Sequence, residues 1–285
     1  MKLLPKQLLS PYRKSGSILI ISIWILVFFS ILSVGLFRIV SAQIRIVKRI
    51  EEIALSQYLA KAAYTYATLE RKKPKTAYDT LYQLRQKREK ELGRGKFIAT
   101  YIDEESKINI NNASAEILSG LPGLNPDLAK AINESTLKPF HLKEGLLLVE
   151  GMNEEIFAQC KDFITTYSEG KVNINTASSE VLRALGLNEG TISTINDFRI
   201  GSDNKELTED DGIFENSSEI TAKLEASGGI SESDAAVFNQ LISQGLITVE
   251  SKNLSLNVEA QILDRPVMKY VIVMDKEKIK EWREY

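Results

Sequence analysis

SILIISIWILVFFSILSVGLF, residues 17–37, runs 21 residues without a charge. As a helix rising about 1.5 Å per residue it spans roughly 32 Å, the thickness of a bilayer core. A secretory signal has an apolar region of only about 7–15 residues, so this stretch reads as an anchor, although Val40-Ser41-Ala42 has the form of a cleavage site. Lys2, Lys6, Arg13 and Lys14 precede it and Arg38, Arg45, Lys48 and Arg49 follow it, so basic residues alone do not orient the span. The helical pattern continues beyond the anchor. No proline occurs between Pro11 and Pro74 and no glycine between Gly35 and Gly93, while Ile46, Ile50, Ile53, Ala54, Tyr58, Leu59, Ala62, Ala63, Tyr66 and Leu69 recur at helical spacing. The spacing predicts one helix over 17–70, about 80 Å long, lipid-facing in its first half and packed on a domain in its second. The plainer alternative is an anchor followed by an unrelated linker.

Charge divides the chain at the same place. The total is −2, yet the first fifty residues hold eight basic groups and no acid, leaving 28 basic and 38 acidic groups, or −10, in the rest. An acidic body counts against binding nucleic acid through a broad positive face. One cysteine, Cys160, forms no internal disulfide, and one histidine, His141, leaves few catalytic or zinc arrangements open. Cys160 lies among Ile156, Phe157 and Phe163 and reads as a small buried side chain, and His141 as a surface or helix-start residue. No phosphate loop, nucleophile elbow or metal-hydrolase pattern occurs, which points to a non-enzyme.

In the body, residues 71–96 read as a solvated connection and helix end, and 96–102 (KFIATYI) as a strand. Strand signals return at 246–249, 254–263 and 267–274, the last two separated by the turn Asp264-Arg265-Pro266. Between 107 and 243 the pattern is helical. That segment holds an internal repeat: KININNASAEIL (107–118) and KVNINTASSEVL (171–182) are identical at eight of twelve positions. Asn112 or Thr176 is expected to cap a helix with Glu116 or Glu180 in its first turn. Gly123-Leu124-Asn125 and Gly186-Leu187-Asn188 follow, where Gly and Asn are expected to supply positive φ in a tight interhelical turn. These are helix-hairpin-helix signatures. Leu147 to Met152 reads as a third turn of similar style.

The order of basic leader, Arg13-Lys14-Ser15-Gly16, apolar stretch from Ser17 and long continuing helix resembles the start of a type IV pilin or type II secretion pseudopilin. Those proteins are cut after the glycine by a membrane peptidase and methylated on the new N-terminus, which implies a cut between Gly16 and Ser17. The family's Glu at the fifth mature position is here Ile21. Its absence is similar to one minor pseudopilin, component K of the type II system, as are residues 139–187 and the C-terminal stretch ending EWREY. A tip subunit has no upper neighbour whose free amino terminus that carboxylate would meet.

The expected fold is α+β: a long N-terminal transmembrane helix on a small antiparallel pilin-like sheet, with an all-helical insertion containing helix-hairpin-helix repeats. The expected divisions are a leader (1–16), the helix (17–70), a connection and first strand (71–106), the insertion (107–243) and the remaining strands (244–285). The resemblance implies a single-pass inner-membrane protein with cytoplasmic leader and periplasmic body, in a pseudopilus tip complex that helps initiate assembly. Its implied partners are other minor pseudopilins, the major pseudopilin and the prepilin peptidase. The alternative is a membrane-anchored helix-hairpin-helix DNA-binding protein of a competence or pilus system. The first repeat, 107–133, carries two basic and two acidic residues, which weighs against nucleic acid. Finally, GSDNKELTEDDG (201–212) offers Asp203, Glu206, Asp210 and Asp211 as oxygen ligands for calcium, without EF-hand spacing.

Overall fold

The apolar run forms the predicted helix, and it is longer than expected by only a residue or two at each end. The computed structural model describes residues 15–71, 86–205, 208, 210–227, 229–275 and 278–285. Helix α1 spans Ser15–Arg71. The chain divides into two compact units, Met1–Ala54 and Leu55–Tyr285. In the first unit α1 exposes its large apolar side chains on all sides, Trp24 at 69% and Phe37 at 72%. It is the one helix among the described residues long and apolar enough to cross a membrane.

The second unit begins with the last turns of α1, whose Ser56, Leu59, Ala60, Ala63 and Ala67 are buried. They lie on one stripe at i, i+3 and i+4 spacing. The alanines let the helix approach a five-stranded antiparallel sheet closely, burying Phe97, Ala99, Leu256, Ala260 and Ile272 beneath it. The Ser56 hydroxyl and the phenol of Tyr270 hydrogen-bond at 2.7 Å, satisfying two polar groups inside that core.

The sheet runs in the order β1 (Arg88–Leu92), β2 (Gly95–Asp103), β7 (Asn253–Ile262), β8 (Arg265–Asp275), β9 (Lys278–Glu284). β1 corrects the reading of 71–96 as connection only. Its sequence REKEL has no apolar alternation because it is an exposed edge, held by pairing with β2 through a turn at Gly93 with φ +62°. The β7–β8 turn sits at Leu263 and Asp264, both at positive φ, one position before the predicted one. Pro266 instead enters strand β8.

Between β2 and β7 lie 107–252, a helical insertion with its own core around Ile110, Leu118, Ile132, Ile174, Ile195 and Phe238. Its elements are β3 (Ile108–Asn109), α2 (Ala115–Ser119), α3 (Pro126–Asn133), α4 (Glu154–Cys160), β4 (Ile164–Thr165), β5 (Val172–Asn173), α5 (Ser179–Ala184), α6 (Glu189–Ile200), α7 (Ile220–Ser227), α8 (Glu232–Ser243) and β6 (Ile247–Thr248). It is thus not purely helical: β3 pairs in parallel with β4, and β5 with β6. The 246–249 strand therefore belongs to the insertion rather than to the main sheet. Cys160 is buried in the insertion core and His141 is exposed, as expected.

Candidate functional site

The repeated segments build two copies of one unit, far longer than the twelve residues that announce it. In each copy the first apolar position opens a parallel strand pair: Ile108 N–H donates to Phe163 O at 2.9 Å, and Val172 N–H to Leu246 O at 2.7 Å. The second asparagine of each copy then clamps a distant backbone. Asn111 accepts from Phe140 N–H at 2.7 Å and donates to Phe140 O at 2.9 Å. Asn175 does the same to Phe214, at 2.9 Å in both directions. Each copy ends on another helix entered through a positive-φ glycine, Gly151 before the cap Asn153 and Gly229 before the cap Ser231. Gly120 and Ala184 stand at the same distance after Lys107 and Lys171, and they touch: a Cβ on Gly120 would lie 2.8 Å from the Ala184 Cα. Equivalent positions of the two copies therefore lie against each other.

The caps of the first helices are Ser114 and Ser178, which accept from Ile117 and Val181 N–H. This corrects the assignment to Asn112 and Thr176. The serines stand one residue before each helix with extended backbone, and the Thr176 hydroxyl is turned inward to Asp103. Glu116 and Glu180 do occupy the first turns.

At the hairpin turns, Gly123 and Gly186 adopt positive φ, +78° and +91°. Asn125 and Asn188 do not. They are extended N-caps, accepting from Leu128 N–H at 2.8 Å and Thr191 N–H at 2.9 Å. Those helix N-termini are what a hairpin would offer a phosphate. Here each is occupied by its own cap and carries an acid next to it, Asp127 and Glu189. Glu189 pairs with Arg183 at 2.5 Å, and Asn188 also donates to the Asp234 carboxylate. In both hairpins the helix end is thus capped by its own asparagine and carries an acid in its first turn.

The 201–212 loop is closed at its neck, where Gly212 N–H donates to Phe198 O at 3.1 Å. A Cβ on Gly212 would fall 2.0 Å from that same oxygen. Asp210 accepts from the Ser202 hydroxyl and N–H, both at 2.7 Å, and from Thr208 at 2.8 Å. These donors hold its carboxyl well below the usual carboxylate range. Asp203 accepts from Lys205 N–H and Asp211 is buried beside Thr208. Glu206 lies outside the described residues, and among those described no three Asp, Glu, His or Cys gather as a metal requires. Gly16 and Ser17 lie near the start of α1, Ile21 is 56% exposed on it, and residues 1–14 lie outside the described chain.

Three features escaped sequence reading: the Asn111 and Asn175 clamps, the Gly120–Ala184 contact, and three buried acids at 103–105. Only the two clamps were signalled, by the alternation of asparagine with apolar residues in both copies.

The fold and the repeated unit define an α+β protein with a membrane-length N-terminal helix, the last turns of which pack on an antiparallel sheet interrupted by a helix-hairpin-helix insertion. A family model described as the helix-hairpin-helix motif matches residues 103–165, the first copy. No match to a curated protein is found. Among solved structures, the chain is similar to one in the crystal structure of the GspK–GspI–GspJ complex from the type 2 secretion system of enterotoxigenic Escherichia coli. The two share 15% identity at a TM-score of 0.59, over 82% of this chain and 97% of that one. At that identity the likeness establishes a common fold.

Proposed function

We propose that the protein is a minor pseudopilin of a type II secretion system, corresponding to component K, and that it joins other minor pseudopilins in a tip complex that starts the pseudopilus. The observation that carries this reading is the shared fold with a chain crystallised inside a three-protein secretion complex, joined to a membrane-length N-terminal helix. Its role is mechanical rather than chemical. The apolar helix stores the subunit in the inner membrane, and the insertion presents a bulky periplasmic head above which no further subunit adds. Cleavage after Gly16 and methylation of Ser17 belong to the same reading and imply the prepilin peptidase as a partner, with the major pseudopilin below.

Mass spectrometry of the mature N-terminus tests the processing step: a methylated chain starting at Ser17 is expected, and one starting at Gln43 excludes the pathway. Crosslinking in membranes should recover other pseudopilins. The hairpin motif favours a second reading, a membrane-tethered DNA receptor, against which the acids at both hairpin ends stand. A mobility-shift titration of the full chain in detergent separates them, since salt-sensitive DNA binding near micromolar with no pseudopilin crosslinks selects the receptor. Calcium binding by the 201–212 loop completes the proposal, supported by its glycine-bounded run of acids. Calorimetry with and without chelator should show binding heat; none, with an unchanged melting temperature, removes calcium from the reading.

A further inference from the structure

Helix α1 does not turn uniformly polar where its uncharged run ends at Phe37. Over residues 38–50 it has two unlike sides. Arg38, Arg45 and Arg49 follow one another at i, i+7 and i+11, which places them on one stripe, with Lys48 beside it. Ile39, Val40, Ile46, Val47 and Ile50 fall on the arc opposite, and all five are exposed. The four basic side chains are exposed as well, and none of them is ion-paired among the described residues. No acid precedes Glu51 in the sequence, so the stripe has no counter-charge along its own length.

A cation that snorkels at the end of a span accounts for Arg38 alone. It does not account for three arginines in line, the last about 16 Å beyond the first. The apolar side of α1 is continuous from Ser17 to Ile50, roughly 51 Å at about 1.5 Å per residue. That is longer than the ~30 Å hydrocarbon core and nearer the roughly 40–45 Å of a bilayer with its headgroups. An apolar stretch too long for the core is accommodated by tilting. Tilting toward Ile46 lowers the apolar arc onto the acyl chains and turns the arginine stripe to the headgroup layer, as in an amphipathic helix at an interface. Guanidinium groups match phosphate oxygens in a bidentate fork, and their attraction to an anionic surface adds residue by residue.

We propose that Arg38, Arg45 and Arg49 form a headgroup site for anionic phospholipid in the leaflet where the uncharged run ends, with the Ile39–Ile50 arc seated on the acyl chains. The proposal rests on the reading of α1 as a membrane span and is independent of which proteins the subunit assembles with. The site gives the anchor a preference for lipid charge that an apolar run by itself lacks.

The test reconstitutes the full chain in phosphatidylcholine vesicles and compares spin-labelled phosphatidylglycerol with spin-labelled phosphatidylcholine for occupancy of the protein's boundary layer. Phosphatidylglycerol is expected to be favoured about fivefold around the wild type, and less than half as much when all three arginines are replaced (Arg38→Gln, Arg45→Gln, Arg49→Gln). The matching triple replacement by lysine should keep most of the preference. Lys2, Lys6, Arg13 and Lys14 are unchanged in every variant, so the difference between variants reports the stripe alone. Equal preference in the wild type and the glutamine variant overturns the site, as does its loss in the lysine variant. Should the glutamine variant not insert, the wild type decides: raising salt from about 0.05 M to about 0.5 M should reduce its preference, and a salt-insensitive preference overturns the site. Flotation separates this from the span itself. A wild-type chain that does not float with the vesicles removes anchor and site together, whereas one that floats without lipid preference removes the site alone.

Discussion

Asn175 is almost fully buried, and its amide closes two hydrogen bonds on the Phe214 backbone across the second copy. Replacing it with alanine leaves a buried N–H and C=O without partners, so Asn175→Ala should cost about 2–3 kcal/mol. The half-buried Asn111 makes the same pair of bonds to Phe140, but water can reach it, and Asn111→Ala should cost about 1 kcal/mol. Denaturant titration of both variants checks the order; equal costs would mean that the two copies are braced alike. A second residue-scale expectation concerns the β7–β8 turn. Leu263 is 62% exposed with φ 50°, so its side chain contributes little packing while its backbone is strained. Leu263→Gly should therefore raise stability by about 1 kcal/mol, read as an increase in melting temperature.

Helix α2 of the first copy and helix α5 of the second approach through Gly120 and Ala184, closer than any larger side chain permits. Gly120→Val should cost about 2 kcal/mol or more, through forced separation of the two copies rather than through helix propensity. The replacement Gly186→Ala, at a hairpin turn with open space around it, tests backbone strain alone because φ is +91° there. In α1 the large side chains of the apolar half are exposed, and Leu26 is 67% exposed near the centre of the uncharged run. Leu26→Lys should make insertion less favourable by about 3 kcal/mol. The measurement is the fraction of protein that resists alkaline extraction from membranes, which should fall sharply; an unchanged fraction would show that this run is not the anchor.

At the scale of the molecule, a near-zero net charge is a sum of a basic apolar head and an acidic body. The anchor, the long helix, β2, β7, β8 and the repeated hairpins were legible because each depends on local pattern: an uncharged run, a 3.6-residue stripe, alternation of β-formers, or a duplicated motif. β1 was not, since an exposed edge strand needs no apolar face and REKEL has none. The placement of Ile247–Thr248 in the insertion was not either, because a two-residue pairing is chosen by the partner that happens to be near, here Val172–Asn173. Nor did pattern show that Asn125 and Asn188 cap helices rather than supply positive φ, two roles open to the same side chain. The sequence by itself determined that this chain has a membrane-length helix, a sheet and a doubled helical insertion. Only the tertiary structure decided how the two copies face each other across Gly120 and Ala184. Such pairings depend on distances between residues far apart in the chain, and no local periodicity encodes them.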